Sequence, residues 1–416
     1  MNKYRSVVKL LKKYNQEQVL AFYNTLPKEE KELLLDQVLN IDFEKLISLY
    51  NEFQKDVSYT DAVITPLEHV EETKLSSYIK SKYVKKGEEI IENGGLAVIT
   101  LAGGQGTRLG LSLPKGFFEV ETNPKKSLFQ IQCETLQMAN IKYNTVIHWY
   151  IMTSPDNDSI TKVYFEDKKY FGYGKENVTF FKQDTLPVLD FNSKLILDKA
   201  YKVKEVSNGN GDVFSSLQRY GLIEDMEKKG IKYVFIGGID NILLKTVDPL
   251  FIGLCDIGNC KVASKTITKN ENEKDEWVFA RRDGKPSIVS SKRITKEMED
   301  KKDENGKYLY KEINILAHLF SIDSLKLCAN IDLPYHLAEK KNDYLNDEGV
   351  KIMPKSPNTY KYEQFIFDVF PYFDNILLLS VKREREFAPI KSFTGIHTPE
   401  RALELYLNER RNSIKG

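Results

Sequence analysis

Residues 96–116 have the sequence LAVITLAGGQGTRLGLSLPKG, an apolar run followed by a glycine-rich segment and a final Pro-Lys-Gly. The run 96–101 has the length and composition of a buried strand. The glycines after it allow positive φ angles and a close approach of the backbone to a ligand, so that successive N–H groups can point at phosphate oxygens. Arg108 and Lys115 add positive charge to the same segment. This order of strand, glycine loop and cations predicts a phosphate-binding turn.

The spacing of the glycines excludes three common nucleotide-binding motifs. A Rossmann fingerprint that begins at Gly104 requires a third glycine where this chain has Leu109. A P-loop requires Lys and then Ser or Thr directly after the second of two glycines five positions apart, and the segment contains no such arrangement. The HRD and DFG segments that accompany a kinase glycine loop are also absent from the sequence. The turn therefore belongs to another class of phosphate site.

Composition excludes several classes of protein. The 416 residues include 61 Lys and Arg against 60 Asp and Glu, a net charge of +1 that is too balanced for a protein whose main partner is nucleic acid. The longest apolar runs, such as 96–102, are far shorter than the roughly 20 residues of a membrane span, and the amino terminus does not have the apolar core of a secretory signal. The four cysteines show neither CxxC spacing nor the density of a disulfide framework. We therefore expect a cytoplasmic protein with reduced thiols, and neither nucleic acid nor a membrane as its partner.

The character of the sequence changes along the chain and predicts an α/β protein in three consecutive parts. Residues 1–90 combine clustered Lys and Glu with apolar residues at helical spacing, which predicts a helical N-terminal segment. Residues 91–345 alternate short apolar runs with turns and helix-like stretches, which predicts an α/β domain around the glycine loop. Residues 346–416 form a small C-terminal part. We expect strands at 96–101, 146–153, 178–181, 233–236 and 365–370, helices at 28–39 and 399–413, and hairpins within 269–311.

The segment LAGGQGTRLG, with the PKG that follows it, closely resembles the signature loop of nucleotidyltransferases that make nucleotide sugars. The next segment, KSLFQIQCETL, is similar to the eukaryotic-type UDP-N-acetylglucosamine pyrophosphorylases of the UDP-sugar pyrophosphorylase family. Further segments are similar to this family in the family's own order: FFKQDTLPVLD (180–190), NGNGD (208–212), GGIDN (237–241), NILAHLF (314–320), KYEQFIFDVFPY (361–372) and REFAPIKS (385–392). The resemblance implies a Rossmann-like, GT-A-like nucleotidyltransferase fold, in which a mixed sheet is flanked by helices. It assigns the catalytic domain to residues 91–345.

The resemblance also implies a reaction, in which an oxygen of a sugar 1-phosphate attacks the α-phosphorus of UTP and pyrophosphate leaves. Because this nucleophile is already an anion, it needs no general base, and the chemistry depends on controlling phosphate charge. Arg108 is implied to meet the leaving pyrophosphate, and Lys115 to contact nearby phosphates. Asp240 follows the apolar run YVFI, where an α/β sheet places its ligands, and is the implied Mg²⁺ ligand. Lys391 is implied to reach the phosphates from the C-terminal part, whose closure on the active site then becomes a catalytic step.

Several residues in the matching segments are candidate ligands of the two substrates. A Gln amide presents a donor and an acceptor together, as the edge of a uracil ring requires, and glycine permits a close approach of the backbone. The candidates are Gly103, Gly104 and Gln183 for the uracil, Asn210 and Gly211 for the nucleotide or sugar, and Asn314 and Glu363 for the sugar hydroxyls.

Two departures from the family pattern concern the sugar. Ser290 stands where the family commonly has a glutamate that helps to hold the sugar. Gly237 and Gly238 stand before Asp240 where bulkier residues are usual, and we expect them to widen the site. N-acetylglucosamine 1-phosphate is the leading substrate, with glucose or galactose 1-phosphate as the alternative. A nucleotide-sugar binding protein without catalysis is a further alternative, disfavoured because the cationic residues are all retained. No oligomeric state follows from the sequence.

Overall fold

The computed structural model describes residues 3–54, 62–111, 113–270, 273 and 276–415. Helices and strands alternate through most of these ranges, as the sequence predicts. The α-helices are α1 (Lys3–Lys13), α2 (Lys28–Asn40), α3 (Phe43–Gln54), α4 (Ser77–Glu92), α5 (Leu128–Tyr143), α6 (Asp158–Asp167), α7 (Val213–Arg219), α8 (Leu222–Lys228), α9 (Pro249–Ile257), α10 (Lys296–Asp300), α11 (Ile322–Ala329), α12 (Arg383–Glu386) and α13 (Pro399–Lys415). The strands are β1 (Ile64–Thr65), β2 (Val70–Glu71), β3 (Leu96–Leu101), β4 (Glu119–Val120), β5 (Lys126–Ser127), β6 (His148–Thr153), β7 (Val178–Lys182), β8 (Thr185–Pro187), β9 (Leu189–Asp190), β10 (Leu197–Lys199), β11 (Lys202–Val203), β12 (Glu205–Ser207), β13 (Tyr233–Gly238), β14 (Val262–Thr268), β15 (Trp277–Arg282), β16 (Lys285–Ser290), β17 (Glu312–Ser321), β18 (His336–Lys340), β19 (Tyr344–Leu345), β20 (Lys351–Ile352), β21 (Thr359–Glu363) and β22 (Leu377–Ser380).

The chain divides into two compact units, each assembled from separate segments. Unit 1 contains Met1–Asp61, Asp184–Asp212 and Leu333–Phe365, and unit 2 contains Ala62–Gln183, Val213–Asp332 and Ile366–Gly416. This division cuts across the three consecutive parts expected from the sequence, because segments that are distant along the chain share one core.

Unit 1 is built on the amphipathic helices that the N-terminal sequence predicts. The helix expected at 28–39 is confirmed as α2, which begins directly after Pro27 and has acidic residues in its first turn. The apolar faces of α1, α2 and α3 share a core with Leu189, Val203 and Tyr362 from the two later segments. A three-stranded sheet of β18, β21 and β9 completes the packing of those segments.

Unit 2 contains a mixed sheet whose longest path runs β2-β22-β14-β17-β13-β3-β6-β7. The strands β13, β3, β6 and β7 are parallel, whereas β17 is antiparallel to both β13 and β14. β3 and β13 are buried along their whole length, as strands of a parallel sheet covered on both faces are. The strands predicted at 96–101, 146–153, 178–181 and 233–236 are confirmed, although β6 starts only at His148.

Parallel pairing brings the carboxyl ends of four strands to one edge of the sheet in unit 2. Leu101 at the end of β3 pairs with Met152 of β6 and with Gly238 at the end of β13. Thr153 pairs in turn with Lys182 at the end of β7. The residues that follow these strands therefore emerge together, at the edge where open α/β sheets place their ligands.

One predicted strand is wrong. Residues 365–370 do not form a strand, because Ile366–Tyr372 is a 3-10 helix in which Ile366 and Phe370 are buried. Residues 365–370 are apolar except for Asp368, and a short run of this kind lacks the strict alternation that separates a strand from a buried helical segment, so the sequence pattern fits both structures.

Two other expectations for unit 2 are confirmed. The hairpin expected within 269–311 is formed by β15 and β16, whose turn residues Asp283 and Gly284 have φ angles of 51° and 79°. The helix expected at 399–413 is α13. Within the part of the chain that the structure describes, no helix combines the length and the hydropathy that a membrane span requires.

Candidate active site

The loop after β3 is closed by hydrogen bonds within itself. The backbone N–H of Lys115 donates to Gly104 O at 3.1 Å, and that of Gly106 donates to Leu113 O at 3.1 Å. Arg108 lies between them in a short 3-10 turn with its side chain exposed. Gly104 is exposed too, with no atom within 4 Å of the position that a Cβ would take. The backbone of the loop is therefore fixed by its own hydrogen bonds, while Gly104 and the Arg108 side chain are accessible to solvent.

Positive φ angles, one of the two reasons expected for the glycines of this loop, do not apply to three of them. Gly103, Gly104 and Gly106 do not adopt positive φ angles, and Gly110 (φ 66°) is the glycine of the segment that does. At Gly103 the constraint is steric, because a Cβ there would overlap Nε2 of Gln183. The structure thus brings together Gly103 and Gln183, two of the three residues predicted for the uracil.

A buried asparagine that the sequence analysis missed supports the start of the loop. Asn157 is completely buried, and its Nδ2 donates to Ala102 O at 3.0 Å. Its Oδ1 accepts from the backbone N–H of Ser154 at 2.8 Å, which ties the end of β6 to the end of β3. The available signal was the Ser-Pro-Asp-Asn turn that follows β6 at the same edge of the sheet.

Lys115 and Asp240 form an ion pair at this edge. Lys115 Nζ lies 3.0 Å from Asp240 Oδ2, and the two side chains are 13 % and 26 % exposed, so substrate can still reach them. Desolvation acts to raise the pKa of Asp240, but the positive charges of Lys115 and Lys391 outweigh it and hold that pKa below its usual range. Asp240 is therefore a carboxylate at neutral pH. The predicted residues Lys115 and Asp240 are in contact, and Lys391 lies close enough for its charge to act on Asp240.

Lys391 belongs to the same compact unit as Asp240. The preceding residue, Ile390, donates its backbone N–H to Asp240 O at 2.9 Å, and Pro389 forms a bridge with Asn241. The resemblance implied that Lys391 arrives when a C-terminal part closes. In the structure, residues 366–416 are part of unit 2, and these bonds hold the backbone before Lys391 against the Asp240 turn, while closure during the reaction stays a prediction.

Asp240 offers a donor that fits Mg²⁺. It supplies one ionised, partly accessible carboxylate, and Mg²⁺ in phosphate-transfer sites takes only one or two protein carboxylates, with water and substrate phosphates as its other ligands. The group of three potential metal ligands found among the described residues consists of Glu273, Glu276 and His397, and does not include Asp240. A metal at Asp240 therefore depends on the phosphates of the bound nucleotide.

Asn314 and the two glycines before Asp240 meet at a bulge in β17. Asn314 Oδ1 accepts from the backbone N–H of Leu316 at 2.9 Å, and Leu316 has a left-handed φ of 56°. A Cβ at Gly238 would lie 3.0 Å from Leu316 Cδ2, and one at Gly237 would lie 2.5 Å from Leu244 Cδ2. The nearest atom to a Gly238 Cβ would be Asp240 Oδ1 at 2.9 Å, so glycine at this position leaves room for the carboxylate, and the expectation that the two glycines widen the site stays a prediction.

The remaining predicted ligands lie in unit 1. The backbone N–H of Gly211 donates to Gln364 O at 2.9 Å, and a Cβ at Gly211 would lie 2.9 Å from the backbone of Gln364. Asn210 precedes this contact and Glu363 adjoins it, so the structure brings Asn210, Gly211 and Glu363 into one neighbourhood. Glu363 Oε1 also lies 2.7 Å from Lys361 Nζ.

Comparison with known proteins gives the same family as the sequence resemblance, over most of the chain. The family model described as UTP–glucose-1-phosphate uridylyltransferase matches residues 42–399. UDP-N-acetylglucosamine diphosphorylase 2 of Arabidopsis thaliana is 35 % identical, with 97 % of this chain and 83 % of that protein covered. The UDP-N-acetylglucosamine pyrophosphorylase of Saccharomyces cerevisiae is also 35 % identical, over 91 % of this chain and 84 % of that protein.

Solved structures support the fold as well. The uridine diphosphate N-acetylglucosamine pyrophosphorylase of Trypanosoma brucei superposes with a TM-score of 0.79 at 28 % identity, covering 98 % of this chain and 85 % of that one. The predicted mixed α/β nucleotidyltransferase fold is therefore confirmed. The chain belongs to the UDP-sugar pyrophosphorylase family, among its eukaryotic-type UDP-N-acetylglucosamine pyrophosphorylases.

Proposed function

We propose that this protein is a uridylyltransferase that forms UDP-N-acetylglucosamine and pyrophosphate from UTP and N-acetylglucosamine 1-phosphate. The observation that carries the proposal is the 3.0 Å ion pair of Lys115 and Asp240, at the sheet edge where the glycine loop opens. Relatives at 35 % identity over nearly the whole chain are named for this nucleotide sugar, which supports the same assignment here.

The reaction is a displacement at phosphorus. An oxygen of the sugar 1-phosphate forms a bond to the α-phosphorus of UTP, the bond from that phosphorus to the bridging oxygen breaks, and pyrophosphate leaves with its electron pair. Three phosphate-bearing species meet, so fixed positive charge lowers the barrier. We assign Lys115 and Lys391 to the phosphates near Asp240. Arg108, exposed on the loop, is assigned to the leaving pyrophosphate.

Mg²⁺ is the cofactor that we propose, with Asp240 as its protein ligand. When bound, the ion neutralises charge on the phosphate oxygens. The protein's own residues keep Asp240 ionised. Lys115 and Lys391 lower the pKa of Asp240 against the opposing effect of desolvation. Until a nucleotide binds, Lys115 serves as the counter-ion of the carboxylate.

The substrate ligands are proposed from their surroundings and from the resemblance. Gln183 is buried against Gly103, where its amide can face a uracil edge beside an open backbone. Asn314 already uses its Oδ1 on Leu316 N, so it would bind a sugar hydroxyl through its Nδ2 donors. The other proposed ligands are Gly104 for the uracil, Asn210 and Gly211 for the nucleotide or sugar, and Glu363 for a sugar hydroxyl.

The choice of sugar rests on the relatives rather than on a single residue. Structures of UDP-glucose enzymes are only 17–19 % identical to this chain and support the fold alone. Ser290, at the position of the family's glutamate, uses its hydroxyl to accept from Lys292 N at 3.4 Å and cap a short turn. N-acetylglucosamine 1-phosphate is therefore favoured over glucose or galactose 1-phosphate.

The test is pyrophosphate release from UTP with a panel of sugar 1-phosphates at saturating UTP. We expect the highest kcat/KM with N-acetylglucosamine 1-phosphate, loss of turnover in EDTA, and its return with Mg²⁺. Absence of turnover with every hexose 1-phosphate would reject the uridylyltransferase and favour a nucleotide-sugar binding protein. A preference for glucose 1-phosphate would reject only the assignment of the sugar.

We also propose that the reaction takes place in the cytoplasm. The four cysteines are free thiols, and three of them are buried. Burial raises the pKa of the Cys133 thiol to about 12, so this side chain behaves as an apolar core group. Such thiols suit a reducing compartment, and fractionation of cells that express the tagged protein would test the location.

A further inference from the structure

Asn241, the residue after Asp240, uses both polar atoms of its side chain on the backbone around it. Its Nδ2 donates to Glu386 O at 2.7 Å, and its Oδ1 accepts from the backbone N–H of Ala388 at 2.8 Å. The same Oδ1 accepts a longer bond from Leu243 N at 3.3 Å. The side chain is 7 % exposed. Its polar atoms are therefore occupied inside the protein rather than presented to a substrate.

The segment that Asn241 holds leads directly to Lys391. Ile390, the residue before Lys391, donates its backbone N–H to Asp240 O at 2.9 Å. The backbone N–H of Lys391 donates to His397 O at 2.9 Å, which fixes the far side of the segment. The positive charge of Lys391 acts on the Asp240 carboxylate. The position of this cation thus depends on how firmly the segment is attached.

A buried ion cluster anchors the beginning of the same segment. Glu386 Oε2 lies 2.6 Å from Lys265 Nζ, and Lys265 Nζ lies 2.6 Å from Asp248 Oδ2. Lys265 and Glu386 are 0 % and 2 % exposed, and removing one partner of such a pair leaves the other charge buried without compensation. Glu386, whose backbone carbonyl accepts from Asn241, is therefore attached to β14 through Lys265.

We infer that Asn241 is a positioning residue for Lys391. It fastens residues 386–388 to the turn that presents Asp240, so that the Lys391 ammonium group is held beside the carboxylate before substrates bind. Charge that is preorganised in this way stabilises a transition state without reorganisation during the reaction. The inference rests on the proposed function and adds to it a residue that does not touch the substrate.

The experiment is a double-mutant cycle of Asn241→Ala and Lys391→Ala, with kcat and both KM values measured by pyrophosphate release. A misplacement of about 1 Å in a catalytic group costs about 10²-fold in rate, so we expect kcat of Asn241→Ala to fall by about 10- to 100-fold. In the Lys391→Ala background the same change should have no further effect on kcat. Losses that multiply in the double variant would overturn the inference, as would an unchanged kcat in folded Asn241→Ala.

Asn140→Ala is the matched control, because Asn140 also accepts a backbone N–H, that of Ile147 at 3.0 Å, but does so at the amino end of β6. Its kcat should equal that of the wild type. If Asn241→Ala does not fold, Asn241→Ser replaces it, since serine keeps a polar group on the same Cβ but is too short to make the bonds of the amide. Failure of the proposed function and failure of this inference give different results. Absence of turnover by the wild type rejects the proposed function, whereas crystal structures that show Lys391 in the same position in wild type and variant reject the inference.

Discussion

The charge on Asp240 is set by two lysines that come from different segments of unit 2. Lys115 contacts it directly at 3.0 Å. Lys391 follows a segment bonded to its backbone. Both lower the pKa of a group that desolvation alone would raise. This arrangement keeps a carboxylate and two cations at one place, where the negative charge of a triphosphate can replace that of the carboxylate as the partner of the lysines.

Replacing Lys115 by alanine removes the nearest of these cations. We expect kcat to fall by about 10²- to 10³-fold, the effect of losing one preorganised donor at a developing charge. Lys115→Arg, which keeps the charge, should retain more activity than Lys115→Ala. Pyrophosphate release at saturating UTP and sugar 1-phosphate measures both variants, and a kcat of Lys115→Ala within twofold of the wild type contradicts the assigned role.

Gly103→Ala and Gly104→Ala should differ although the residues are neighbours. A Cβ at Gly103 would overlap the Gln183 amide, whereas the space beside Gly104 is open. We expect Gly103→Ala to lower the free energy of unfolding by about 1–3 kcal/mol, as overpacking does, and to raise the KM for UTP because Gln183 is displaced. Gly104→Ala should leave the free energy of unfolding within about 0.5 kcal/mol. Urea denaturation of both variants measures these changes in the free energy of unfolding. Equal destabilisation by Gly103→Ala and Gly104→Ala would contradict the predicted contact.

Strand β17 connects the core to the site. Its buried His318 makes a 2.8 Å hydrogen bond through Nδ1 with Ser264 Oγ of β14 and packs against the Phe370 ring. Two residues earlier Leu316, with its left-handed φ of 56°, forms a bulge in the strand, and its side chain lies beside Gly238. The strand is thus regular where it builds the core and irregular where it approaches Asp240.

His318 predicts a pH dependence of stability. Desolvation lowers its pKa to about 3, so the folded protein keeps it neutral, while the unfolded chain binds a proton below about pH 6.5. Its stabilising contribution is complete above pH 6.5 and is lost as the pH falls from 6.5 towards 3. The loss at pH 5 is about 2 kcal/mol.

Urea denaturation of His318→Leu at pH 7 and pH 5 tests this dependence. The difference between the two free energies of unfolding should shrink by about 2 kcal/mol relative to wild type. Ser264→Ala removes the hydrogen bond but keeps the titrating ring, so it should keep the difference. An unchanged pH dependence in His318→Leu would show that the ring is protonated in the folded state.

The elements and residues that the sequence predicts best are those with local patterns. β3, with its apolar run and glycine loop, and Asp240 after a second apolar run could both be found from neighbouring residues alone. Asn241 and Asn157 could not, because their roles depend on backbone groups that lie 145 and 55 positions away. The Ile366–Tyr372 helix could not be predicted either, because a short, mostly apolar run without strict alternation fits two structures.

The two compact units do not follow the order of the sequence. Unit 1 takes segments from three parts of the chain, among them Asp184–Asp212 and Leu333–Phe365. Composition cannot reveal such a division, because each segment joins a core whose other members lie more than a hundred residues away. The predicted ligands divide in the same way, with Asn210 and Gly211 in unit 1 and Asp240 in unit 2.

The most direct measurement is a crystal structure of the protein grown with UTP and Mn²⁺, in which anomalous scattering locates the metal. We expect the triphosphate along residues 103–115 with Lys115 in contact, and the metal on the Asp240 carboxylate. A triphosphate bound away from this loop, or a metal peak remote from Asp240, would contradict the proposed site.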